Sequence, residues 1–158
     1  MFGICNLDFG AYENMQKIII KTEADTKKFA TKLAKSLKGG EILALEGPLG
    51  AGKTFITQQI AKYFNIKQTV TSPTFVLMKV YPISNFQFPI SNLIHVDCYR
   101  LDEPQELFYL GIEEYINRPD CVVVIEWADK IKEYLKKFKK VIWVKISLKD
   151  KQRIINIK

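Results

Sequence analysis

Two periods of hydrophobic and polar residues divide the chain. Short, nearly continuous apolar runs predict strands over 17–21 (KIIIK), 41–46 (EILALE), 75–81 (FVLMKVY), 93–97 (LIHVD), 122–126 (VVVIE) and 140–148 (KVIWVKISL), with a last extended piece after them. Between these runs the apolar residues return every three or four positions. Phe29, Ala30, Leu33, Ala34 and Leu37 share one face of a helix over 22–37, and Thr22 with Asp25 makes a capping-box start. Gly39 and Gly40 end it. A second helix covers 53–64, with Ile56, Ile60, Tyr63 and Phe64 facing inward. Helical character is also expected over 104–116 and 129–137. Apolar strands alternating with helices predict an α/β fold whose mostly parallel sheet is covered on both faces.

Length and composition refine this picture. At 158 residues and 47% hydrophobic, one domain over 15–158 is expected, with residues 1–14 as an extension without clear periodicity. Residues 82–92 repeat PISN around FQF and read as an inserted loop in a hairpin, without chemistry of its own. No stretch approaches the ~18–20 apolar residues of a membrane helix. The start has no basic leader before an apolar core, so a cytoplasmic protein is expected. Cys5, Cys98 and Cys121 are too scattered for a zinc site or a disulfide framework. The net charge of +7 is concentrated in lysines from Lys130 onward, which read as a solvated face, with contact to RNA or an acidic partner as the alternative. The only arginines are Arg100, Arg118 and Arg153, too few for a dedicated nucleic-acid reader.

The strongest chemical signal follows the strand over 41–46. Gly47, four further residues, and Gly52-Lys53-Thr54 fit G-x-x-x-x-G-K-[ST], the phosphate-binding P-loop. Glycines let backbone N–H groups turn inward around phosphate oxygens, and the helix that starts there adds its N-terminal dipole. Gly47, Leu49, Gly50, Ala51, Gly52, Lys53, Thr54 and Phe55 form the candidate cradle. Lys53 is the charge for the β and γ phosphates, expected to stay exposed until phosphate arrives, and Thr54 is a magnesium ligand. Pro48 has no N–H, which fits if the main donors lie from Gly50 to Thr54.

Such a site needs an acid at a neighbouring strand end, and Asp97 and Glu126 both stand at one. Glu126 is assigned to Mg2+ with Thr54, and Asp97 to water positioning and nucleotide sensing; the reverse assignment stays open. His95 shares a face with Asp97 and reads as a packed neighbour. Arg100 is a candidate for γ-phosphate charge or a partner contact, with an ion pair equally compatible. Trp127 is a candidate for the base or for covering the sheet end. TSPTF (71–75) offers hydroxyls, Thr74 among them, and is a candidate switch loop, with a proline turn equally compatible. NRPD (117–120) precedes a strand rather than following one, so it does not read guanine, and ATP is preferred. Alternatives are a small-molecule kinase, which the missing arginine cluster disfavours, and a nucleotide-dependent interaction module.

Taken in order, LEGPLGAGKTF, SPTFVLMKVY, HVDCYRL, LGIEEY and VIEWAD resemble the bacterial TsaE (YjeE) family over about residues 22–135. The resemblance implies a P-loop NTPase-like three-layer sandwich and a magnesium-dependent ATPase of tRNA threonylcarbamoyladenosine biosynthesis. It further implies work with TsaB and TsaD, which modify adenosine 37 of ANN-decoding tRNAs, so that tRNA is met through them. Carried over by motif, Lys53 and Thr54 match the phosphate and magnesium positions, and Ser72 and Thr74 the first switch. Asp97 and Arg100 match the second switch, and Glu126 with Trp127 the acidic end strand. Pro48, Phe55 and the PISN insertion depart from the family pattern.

Overall fold

The computed structural model describes residues 16–84, 87–150 and 152–158, so the extension expected over 1–14 lies outside the described residues. The first helix forms as its cap dictates. In α1 (Glu23–Ser36), Asp25 N donates to Thr22 Oγ1 at 3.1 Å and Thr22 N donates to Asp25 Oδ2 at 3.0 Å. Its inward face carries Phe29, Ala30, Leu33 and Ala34. Removing the cap leaves first-turn N–H groups to water, so Thr22→Ala should lower stability by about 1 kcal/mol. A melting curve should show this as a fall of roughly 2–4 °C in Tm. An unchanged Tm would mean that packing alone starts the helix.

Seven strands form one sheet in the order β1 (Gln16–Ile20), β7 (Gln152–Ile157), β6 (Val141–Lys149), β2 (Ile42–Glu46), β5 (Cys121–Glu126), β4 (Asn92–Asp97) and β3 (Met78–Pro82). The centre, β6-β2-β5-β4, is parallel. Both flanks, β1-β7-β6 and β4-β3, are antiparallel. On one face α1 and α2 (Lys53–Tyr63) pack Phe29, Leu33, Ile56 and Ile60 against Leu43, Leu45, Val122 and Val124. On the other, Leu107, Ile112, Ile131 and Leu135 cover Ile42, Ala44, Ile94 and Val96. Buried alternate positions on both faces account for the near-continuous apolar strands, and the three-layer sandwich with a sheet parallel in its centre is as expected.

Some elements differ from the sequence reading. The strand expected from 75 starts at Met78, because Val76 N and Leu77 N both turn back to Pro73 O at 3.0 and 2.6 Å, and Leu77 takes a positive φ of 61°. The helix expected over 104–116 splits into α3 (Gln105–Tyr109) and a 3-10 turn at Ile112–Glu114, divided at Gly111 with φ 75°. The helix expected over 129–137 is a 3-10 turn at Ala128–Ile131 followed by α4 (Lys132–Leu135). The inserted loop links β3 to β4, and its described part helps build the core: Ile83 and Ile90 are buried and Phe88 stacks edge-on against Phe64 at 5.0 Å. Among the described residues no helix is long and apolar enough to cross a membrane. Cys98 and Cys121 are free and buried, and burial pushes the Cys98 thiol up to about 12.

Candidate active site

Because β2, β4 and β5 run parallel, their carboxyl ends reach the same edge of the sheet, and the chemistry gathers there. The glycine loop leaves β2 beside β6. A side chain at Gly47 would meet Ile146 O at 2.8 Å, so this glycine is required by the close approach of two backbones. Gly52, with φ 101°, turns the chain into α2. Glu46 pairs with Lys145 across the sheet at 2.8 Å, and Arg153 Nε on β7 donates to Ala51 O at 2.9 Å, bracing the loop from behind.

Lys53 is 5% exposed, not open to solvent as the sequence reading expects. Its ammonium donates to Gly47 O at 2.6 Å and Pro48 O at 3.0 Å and lies 3.8 Å from the Trp127 ring centroid. These partners offset its desolvation. Burial holds its pKa below the ordinary lysine value, while the Glu126 and Asp97 carboxylates pull the other way.

The two carboxylates stand side by side, Asp97 in register with Glu126. Glu126 Oε2 accepts from Thr54 Oγ1 at 2.9 Å, and Oε1 is hydrogen-bonded to His95 Nε2 at 2.7 Å. Asp97 Oδ2 accepts from Ser72 Oγ and from Thr74 Oγ1 at 2.9 Å, while Oδ1 accepts from Tyr99 N at 2.8 Å. The 71–75 loop is thus tied to β4 through one carboxylate oxygen. Thr54 and Glu126 suit magnesium, a hard cation that takes oxygen donors and keeps water and phosphate as its remaining ligands. Among the described residues no cluster of three or more His, Cys, Asp or Glu side chains could hold a metal ion.

A cleft of about 400 Å³ joins these groups. Leu49, Gly50, Ala51, Gly52, Lys53, Thr54, Phe55, Thr74, Asp97, Glu126 and Trp127 all line it, as do Ser72 and Tyr99. Gly47 stands behind the lining as the carbonyl that holds Lys53. Trp127 faces the Lys53 amine. Arg100 is not among the lining residues; its guanidinium sits 4.5 Å from the ring centroid of Phe75, itself 84% exposed. Three residues passed over in the sequence reading belong to this neighbourhood. Tyr99 meets Trp127 with tilted rings 5.0 Å apart, Lys130 Nζ donates to the Tyr99 and Leu101 carbonyls at 2.6 and 3.1 Å, and Arg153 braces the loop.

The family model described as "Threonylcarbamoyl adenosine biosynthesis protein TsaE" matches residues 20–155. A curated relative from Rickettsia felis, named tRNA threonylcarbamoyladenosine biosynthesis protein TsaE, is 44% identical over 119 residues, covering 75% of this chain and 66% of that protein. One of the same name from Aquifex aeolicus is 33% identical over 122 residues, covering 76% of this chain and 82% of the relative. The chain therefore spans just under two thirds of the length of the Rickettsia felis relative. The crystal structure of YdiB from Bacillus subtilis aligns with a TM-score of 0.71 at 31% identity, covering 91% of this chain and 84% of that one. On the match over 20–155, with the glycine loop and paired carboxylates inside it, the chain belongs to the TsaE family of threonylcarbamoyl adenosine biosynthesis proteins.

Proposed function

We propose that residues 15–158 act as one magnesium-dependent ATPase domain in the cytoplasm, slow alone and stimulated by TsaB and TsaD homologues, and that its turnover serves threonylcarbamoylation of tRNA adenosine by those partners. The observation that carries this reading is the hydrogen bond from Thr54 to Glu126, with Asp97 in register beside it. It joins a phosphate loop to a pair of carboxylates in one cleft.

In this reading the ATP phosphates rest on N–H groups from Gly50 to Thr54 and on the N-terminus of α2. Lys53 exchanges its two carbonyl partners for phosphate oxygens. Thr54 and Glu126 hold Mg2+, which supplies charge neutralisation to the β and γ phosphates. Asp97 orients the attacking water, and its bonds to Ser72 and Thr74 couple the γ-phosphate position to the 71–75 loop. Arg118 is engaged with Asp120, Arg153 with Ala51 and Arg100 with Phe75, and none of them lines the cleft. Among the described residues no arginine therefore joins Lys53 in the cleft as a second cation for transition-state charge, a group that can be worth ~10³–10⁵ in rate. The partner either supplies that cation or orders the 71–75 loop.

Phosphate release by the purified chain tests this. The rate should be low alone and rise when the TsaB and TsaD homologues are added, with no phosphate acceptor needed. Thr74→Ala removes one hydrogen bond to Asp97, about 1 kcal/mol of loop order. It should reduce the stimulated rate several-fold while changing ATP affinity less. Fast turnover by the chain alone, indifferent to the partners, would point instead to an independent enzyme.

A further inference from the structure

His95 is the only histidine of the chain, and it is fully buried. Strand alternation in β4 puts it on the same face as Asp97, and the β4–β5 register brings its ring against Glu126. The two oxygens of Glu126 are thereby divided: Oε1 lies 2.7 Å from His95 Nε2, and Oε2 takes the Thr54 hydroxyl at 2.9 Å. The other ring nitrogen, Nδ1, is buried with no hydrogen-bond partner among the described residues. Only the tautomer with its proton on Nε2 gives every N–H of the ring an acceptor. A ring with one dead-end nitrogen offers no onward path for a proton, so it is not a relay. What it does provide is a rigid donor at a fixed place, on a side chain with only two rotatable bonds.

We propose that His95 is a positioning residue for Glu126. Its Nε2–H pins Oε1, so that Oε2 is presented to Thr54 and to the magnesium ion that accompanies ATP. The proposal rests on the reading of the cleft given above. Without the pin, the carboxylate is free to rotate about its last bond, and the oxygen shared with Thr54 loses its fixed direction. Groups that orient a metal ligand in this way typically change metal affinity by about 10–100-fold when removed. A histidine that merely filled space would act differently: its loss would lower stability and weaken nucleotide binding whether or not magnesium was present.

Calorimetric titration of the full chain with a non-hydrolysable ATP analogue, with and without Mg2+, separates the two. The amide nitrogen of His95→Gln reaches about as far as Nε2, whereas that of His95→Asn stops short at the level of Nδ1. His95→Gln should keep most of the magnesium-dependent gain in affinity. His95→Asn and His95→Leu should lose about 10–100-fold of it, with magnesium-free affinity unchanged in all. If His95→Leu does not fold, the Gln and Asn variants decide between them, since they bury the same amide. Equal gains in Gln and Asn, or magnesium-free affinity falling in parallel with the gain, would overturn the role of His95 alone. A wild-type chain that gains nothing from magnesium would overturn the reading of the cleft, and this proposal with it.

Discussion

Lys53→Ala is expected to abolish productive ATP binding and to leave the fold in place. The ammonium is 5% exposed, and what holds it is local: two loop carbonyls and one indole face. Phosphate oxygens offer it a stronger, charge-assisted set of partners in the same cleft. Truncating one member of a desolvated, hydrogen-bonded charge pair costs about 2–5 kcal/mol, roughly 30- to several-thousand-fold in Kd. Alanine also leaves Gly47 O and Pro48 O without their donor, but the space it vacates opens onto the cleft that Lys53 lines, so water can take the place of the ammonium and the penalty to folding is small. Titration calorimetry reads the loss of affinity, and a melting curve confirms the fold. Unchanged ATP affinity would refute the assignment of the loop.

The second large effect concerns the carboxylates, whose surroundings make their losses distinguishable. Asp97 is held by Tyr99 N, Ser72 and Thr74, as suits a group that orients water. Asp97→Asn keeps its volume and removes its basicity; turnover should fall by about 10²–10⁴-fold with nucleotide affinity nearly unchanged. Glu126 shares the Thr54 hydroxyl. Glu126→Gln keeps an oxygen for His95 and removes the charge, so the main change should be a higher Mg2+ requirement, by about tenfold or more. Steady-state rates measured across a magnesium series resolve the two. A reversed pattern would exchange the two assignments, and wild-type rates in both variants would remove the carboxylates from the mechanism.

Local signals carried much of this to the reader of the sequence. The Thr22–Asp25 cap, the glycine loop and the apolar strands that end in Asp97 and Glu126 each depend on residues close together in the chain, and each stands where its pattern places it. What escaped depends on neighbours that are distant in sequence. Arg153 braces the loop only because β7 inserts between β1 and β6, a strand order that no periodicity encodes. Lys53 reads as an exposed charge until the indole of Trp127, a residue with a positive φ of 58°, is seen to close over it. His95 reads as packing because its acceptor, Glu126, is on another strand. Pro73 hides the turn that delays β3, since Phe75 and Val76 look like strand residues but are exposed.

The central claim is that ATP turnover in this cleft is what the chain contributes to tRNA modification. The most direct measurement is the yield of threonylcarbamoyladenosine on tRNA in a reconstituted reaction containing the TsaB and TsaD homologues. It would be run with wild-type chain, with Asp97→Asn chain and with none. Sustained modification over many turnovers with the wild type, and a yield near that of the chain-free reaction with Asp97→Asn, is the predicted result. Equal yields from wild-type and Asp97→Asn chains, once the variant is shown to bind ATP but not hydrolyse it, would contradict the account.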